Sequence, residues 1–177
     1  METTRLIIRR FEPQDWLTVQ TYATDPTVMH YMGEGPQTPT QVQTWVNGNL
    51  GDSAQEFPVI LKQTDQLIGH MVFHLWFAPQ TYEVGWVMHP AHQGQGLASE
   101  AAAALLRYAF TKLQAHRVIA TCQPENPASY RVMEKIGMRR EGHFRQCVFR
   151  QENIWWDEYF YAILAEEWFS NNKTQAA

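Results

Sequence analysis

The sequence predicts an α+β fold, a mixed and mostly antiparallel central sheet of about seven strands flanked by helices. Three observations carry this. Phe57 to Leu61, Leu67 to Leu75 and Tyr82 to Met88 are strand-like runs, and the intervals Gln63-Thr64-Asp65-Gln66 and Phe77-Ala78-Pro79-Gln80-Thr81 are too short for a helical crossover, so these strands pair antiparallel. Ala101 to Leu113 is a run of strong helix formers, long enough to bring the next strand, Arg117 to Thr121, back in parallel. Two further strand runs, about Met138 to Phe149 and Ile154 to Ile163, come after it.

The remaining elements follow from local punctuation. Leu6 to Arg10 reads as an opening strand, and Pro13 to Thr24 as a helix with Pro in its first turn that stops before Asp25-Pro26. Val28-Met29-His30-Tyr31-Met32 is a short apolar run closed by Gly33-Glu34-Gly35-Pro36, and a second helix covers about Pro39 to Leu50. The aromatic loop between these helices is either a substrate wall or a satellite cluster over the core. Asn126 reads as an N-cap for a helix from Pro127 to Ile136, which ends at Gly137, a residue suited to the left-handed conformation. Ala165 to Phe169 reads as a terminal turn, and the polar tail Ser170 to Ala177 is expected to fray.

A chain of 177 residues suits one domain over 1–177. Its 45% hydrophobic content is that of a globular core, and a net charge of −4 without a cluster of Lys or Arg argues against a nucleic-acid partner. Cys122 and Cys147 make no disulfide framework, and His70 and His74, four apart in a strand, lack the geometry of a metal pair, so no metal is expected. Neither a signal peptide nor an apolar run of membrane-spanning length is seen, which makes the cytoplasm the expected location.

The chemistry centres on His89-Pro90-Ala91-His92-Gln93-Gly94-Gln95-Gly96-Leu97-Ala98-Ser99-Glu100, between a strand and a helix. Two glycines allow positive φ and a close ligand approach, and no Ser, Thr, Asp or Asn caps the helix that opens near Gly96. Unpaired first-turn N–H groups and the helix dipole together favour a phosphate or pyrophosphate. A P-loop fails because no lysine lies between Lys62 and Lys112. A Rossmann turn is disfavoured by Ser99 in the sixth position and by the lack of an acid in Arg117 to Gln123. A purely structural turn stays open on the hexapeptide alone. Gln93-Gly94-Gln95-Gly96-Leu97-Ala98 resembles, residue for residue, the Gln/Arg-x-x-Gly-x-Gly/Ala signature of the GNAT superfamily of acetyl-CoA-dependent N-acetyltransferases. The similarity runs over almost the whole chain. Thr4-Arg5-Leu6, the stretch Asn126-Pro127-Ala128-Ser129 to Gly137, and Trp155-Trp156-Asp157 resemble the branch that holds the RimJ and RimL ribosomal-protein acetyltransferases.

That resemblance implies acetyl-CoA as cosubstrate, with main-chain groups of Val87 and Met88 along its pantetheine arm and the N–H groups of Gly94, Gln95, Gly96, Leu97, Ala98 and Ser99 on its pyrophosphate. Gln93 either joins them or braces the turn. Asn126, besides capping its helix, would hydrogen-bond the pantetheine. The Tyr that many family members use to protonate the departing thiolate is replaced by Met133, so Ser129, the counterpart of the serine ascribed this role in the RimL-like branch, becomes the expected acid, with Tyr130 second. Glu83, the only carboxylate in an otherwise apolar strand, is the expected base, with an upward-shifted pKa; a solvent-facing strand end is the bland alternative, and His74 and His30 are substitutes.

His30, Tyr31 and Met32, with Trp155 in the segment Phe144 to Trp156, are expected to line the acceptor site. Acids there are few, Glu34 on the first segment and Glu152 with Asp157 on the second, which favours a peptide N-terminus over a polycationic amine. A small-molecule amine, or a catalytically weak acetyl-CoA-binding module, stays open as a second reading. The oligomeric state is equally open, a homodimer included.

Overall fold

The computed structural model describes residues 1–150 and 153–173. Seven strands form one sheet in the order β1-β2-β3-β4-β5-β7-β6. They are β1 (Leu6–Ile8), β2 (Glu56–Leu61), β3 (Gln66–Leu75), β4 (Thr81–Met88), β5 (Arg117–Cys122), β6 (Arg139–Phe149) and β7 (Trp155–Leu164). The helices are α1 (Trp16–Ala23), α2 (Pro39–Gly48), α3 (Leu97–Thr111), α4 (Pro127–Lys135) and α5 (Ala165–Lys173). β1/β2, β2/β3, β5/β7 and β6/β7 are antiparallel, and β4/β5 is the parallel pair that the α3 crossover requires. The expected α+β class with a mixed sheet is therefore the observed one.

The chain divides into two compact units, Met1–His74 with Gly85–Ala104, and Leu75–Val84 with Leu105–Ala177. In the first, Phe11, Val19, Tyr22, Val42, Val46, Ile60 and Val87 form a buried cluster, against which Val28, Met32 and Trp45 pack. The loop after α1 is thus tied to this core by its apolar residues, while His30 stays exposed. α2 starts with a capping box, the Thr38 hydroxyl accepting from the Gln41 N–H and the Gln41 side chain reaching back to the Thr38 N–H. Gly69 lets β3 and β4 approach closely, since a Cβ there would lie 2.3 Å from the Val87 oxygen.

The second unit is built on β5 and β7, whose buried Val118, Ile119, Ala120, Tyr161, Ala162 and Ile163 supply apolar bulk. Gly137 takes φ +89° after α4, as its place at a helix end led one to expect. The chain end departs from expectation. Instead of a turn and a frayed tail from Ser170, the structure has α5 running from Ala165 to Lys173, with positions 174–177 outside the described residues. Tertiary contacts override the weak helix propensity of Ser170, Asn171 and Asn172: the Trp168 ring packs 5.5 Å from Phe110, and the Glu167 carboxylate accepts from the Leu164 N–H and pairs with Arg139.

Candidate active site

The glycine turn sits between β4 and α3, the place its residues predict. A short 3-10 turn, Pro90–His92, opens it, with the His89 side chain accepting from the Ala91 N–H. Gly94 and Gly96 follow with φ +70° and +74°, conformations that cost a side-chain-bearing residue about 1 kcal/mol or more. α3 begins at Leu97, next to the Gly96 where the sequence has it open, and its first bond runs from the Glu100 N–H to the Gly96 oxygen. Among the described residues no protein group accepts from the N–H groups of Gly94, Gln95, Gly96, Leu97, Ala98 or Ser99. Six such donors beside the positive end of a 15-residue helix are chemically suited to an anion.

Side chains hold this turn from outside. Gln93 donates through Nε2 to the Met88 oxygen at 3.0 Å, and Gln95 donates to the Ala91 oxygen at 3.1 Å. Gln93 is thus engaged as a brace. The Met88 carbonyl is engaged as well, and Val87 puts its side chain into the core. Sequence reasoning missed a further support at the N-terminus. The Arg5 guanidinium bonds Glu100 at 2.6 Å and the Gln95 oxygen at 3.1 Å, while the Thr3 hydroxyl and the Arg5 N–H both donate to Glu100. Hydrogen bonds from Thr3 and Arg5, with the Arg5 charge, hold the Glu100 carboxyl below its usual range despite partial burial. The Thr4-Arg5-Leu6 motif therefore has a structural job, latching the turn.

In the second unit, the Asn126 side chain accepts from the Ser129 N–H at 3.2 Å, the N-cap expected of it. Ser129 is half-buried in the first turn of α4, and its hydroxyl, like the Tyr130 N–H, faces the Cys122 thiol. Burial pushes that thiol up to about 11, and the two donors only partly offset it. The Tyr130 ring stands 6.0 Å from Tyr159, edge to face, and Met133, in the usual tyrosine position, is buried. Glu83 is half-buried opposite Ile119 in the last recorded pair of the β4/β5 register, rather than at a solvent-facing end.

Of the residues expected from the sequence to line an acceptor site, His30 and Tyr31 meet edge to face at 4.7 Å in the first unit, next to the half-buried Met32. Trp155 is 47% exposed at the start of β7 and packs on Phe149 at 5.1 Å. Asp157 is already engaged, accepting from the Gln146 N–H at 2.9 Å and meeting His143 at 2.7 Å, and Glu152 lies outside the described residues.

One cluster was not anticipated. His70 on β3 is buried, its Nδ1 2.9 Å from the Tyr22 hydroxyl and its Nε2 3.4 Å from a Glu56 carboxylate oxygen. Burial pushes His70 down to about 3 and Glu56 up to about 7, the latter helped by the nearby Glu34 charge and opposed by a hydrogen bond from Trp45.

Comparison with known proteins fits this geometry. An acetyltransferase (GNAT) domain model matches residues 5–139. The chain is 56% identical to the uncharacterized N-acetyltransferase YnaD of Bacillus subtilis, over 94% of this chain and 97% of that one. Its fold is similar to the crystal structure of a GNAT-family acetyltransferase from Bacillus anthracis, with TM-score 0.90 and 53% identity over 94% of this chain and 98% of that one. It is also similar, at TM-score 0.81 and 24% identity over 94% and 99% of the chains, to a Vibrio cholerae spermidine N-acetyltransferase solved with CoA and spermine. The turn, the mixed sheet and the match over residues 5–139 lead to one conclusion: this chain belongs to the GNAT family of N-acetyltransferases.

Proposed function

We propose that this enzyme moves an acetyl group from acetyl-CoA directly to a primary amine, the N-terminal α-amine of a protein or peptide, in the manner of the RimJ/RimL-like branch. One observation carries the cosubstrate: six N–H donors of Gly94 to Ser99 with no protein acceptor among the described residues, in a turn braced by Gln93, Gln95 and Arg5. They would take the pyrophosphate, while Val87, Met88 and Asn126 would line the pantetheine. Ser129 would protonate the departing thiolate, since its inward-facing hydroxyl suits a donor and Met133 has no proton to give. Tyr130 is the second candidate for that role. Glu83 would draw a proton from the amine through water. His30, Tyr31, Met32 and Trp155 would contact the acceptor. Because the family match runs through segments of both units, residues 1–177 are read as one functional domain, and its setting as cytoplasmic.

The peptide acceptor is supported by the engagement of Asp157, which leaves fewer free carboxylates for a polycation. The spermidine N-acetyltransferase likeness favours the second reading, a polyamine. A panel of short peptides with varied free N-termini, spermidine and kanamycin, assayed by CoA release, separates them. The proposal expects the best peptides to turn over faster than either polycation; spermidine or kanamycin at least about tenfold faster than every peptide would overturn it, a difference of about 1.4 kcal/mol in the barrier.

A further inference from the structure

The Glu56 cluster is built like a device for receiving a cation, yet among the described residues no Lys or Arg is recorded in an ion pair with it. Among the described residues the ion-pair contact of Glu56 is with His70, which burial keeps neutral, and the charge that acts on it is that of a second carboxylate, Glu34. Around it stand His70 from β3, Trp45 from α2, which donates to it, and Tyr22 from α1; Asn49 holds its main-chain N–H at 3.1 Å. Asp15 acts on Tyr22 by its charge, and the His89 ring stands 6.1 Å from Tyr22, edge to face. None of these is a permanent cation.

The donors also fix the geometry. An ionised carboxylate only accepts, so His70 carries its proton on Nε2 toward Glu56, and its Nδ1 accepts from the Tyr22 hydroxyl. The Trp45 ring packs 4.8 Å from His70, edge to face, which pins both partners. The Glu56 side chain keeps 23% exposure, so one edge stays reachable. Glu34, which acts on Glu56, lies in the loop that carries His30, Tyr31 and Met32, and Met32 packs on the same core as Trp45. His70 directly follows Gly69, whose backbone lies against Val87 and Met88.

We propose that Glu56 is a catalytic residue that receives the acceptor's primary ammonium and takes its proton, with His70 and Tyr22 as positioning residues. This rests on the transferase reading above. An R–NH3+ acceptor must shed two protons to become an amide. The first N–H bond breaks toward Glu56, which becomes the neutral acid and leaves the nitrogen lone pair free to attack the thioester carbon. The second leaves when the tetrahedral adduct collapses, by way of the water and Glu83 assigned above. One proton ends on the thiolate and one, from Glu56, in solvent. Burial and the Glu34 charge, which raise Glu56 to about 7, match it to proton transfer near neutrality.

The test uses the full chain, following the Trp45 indole N–H by NMR, with Trp45→Phe for assignment. The probes are a tripeptide with a free N-terminus, its N-acetylated counterpart and spermidine. The indole signal should titrate with a midpoint near 7, move on adding either ammonium-bearing probe but not the acetylated peptide, and lose both responses in Glu56→Gln. His70→Leu, or Tyr22→Phe should the first fold poorly, should move the midpoint without abolishing it. In turnover, kcat/KM for the acceptor should rise with pH through about 7 in the wild type, and Glu56→Gln should lose that limb and about 10²-fold in rate, while Glu83→Gln keeps the limb. An indole signal that does not titrate near neutrality, or a limb lost in Glu83→Gln and kept in Glu56→Gln, would overturn the proposal. Transfer to no amine would sink the transferase reading instead, while an ammonium response lost in Glu56→Gln would still show that Glu56 receives the cation.

Discussion

At the scale of single residues, the chemistry turns on which hydroxyl and which carboxylate face inward. Ser129 shares the first turn of α4 with its cap, Asn126, and its hydroxyl meets the Cys122 thiol, whereas the Tyr130 ring goes to Tyr159. Ser129→Ala should therefore lower kcat by about 10²-fold or more with little change in acetyl-CoA affinity, and Tyr130→Phe should be mild, both read by steady-state CoA release. The reverse ranking would move the acid to Tyr130. The places of Asn126 and Ser129 at the start of α4 were legible because a cap and a first-turn position are local features. Glu56 was not, because its surroundings are assembled by Tyr22, Trp45 and His70 from three elements distant in sequence. Burial raises the Glu56 carboxyl to about 7, a shift that the strand pattern of β2 gave no reason to expect.

Among the elements, the strand runs and the crossover were readable from period and interval, while element ends were governed by contacts the sequence does not display. The start of α3 is the exception, legible near Gly96 because that glycine can take φ +74° and offer its oxygen to Glu100, whereas α5 persists to Lys173 because Trp168 and Glu167 are held from outside the helix. The approach of β3 to β4 at Gly69 is the clearest constraint of this kind. Gly69→Ala would set a Cβ 2.3 Å from the Val87 oxygen and 3.0 Å from the Met88 Cα, so the strands must shift. A loss of about 1–3 kcal/mol, read as a lower denaturant midpoint at unchanged slope, is expected, along with slower acetyl transfer. An unaltered midpoint would show that β3 and β4 have more room there than this backbone allows.

For the whole molecule, a hexapeptide signature, a seven-stranded mixed sheet and a family match over residues 5–139 converge on acetyl-CoA as the acyl donor. Binding that cosubstrate at the Gly94–Ser99 turn should stabilise the entire fold by mass action, about 2.7 kcal/mol at one hundred times the dissociation constant. Gly96→Val interrupts this in two ways. On the proposed reading its Cβ would stand where the pyrophosphate approaches, and a β-branched residue is strained at φ +74°, at a cost of about 1–2 kcal/mol to the free protein. The most direct measurement is the melting temperature of wild type and Gly96→Val, each with and without saturating acetyl-CoA. The account predicts a clear upward shift for the wild type and almost none for a variant that starts somewhat lower; equal shifts in both would contradict it.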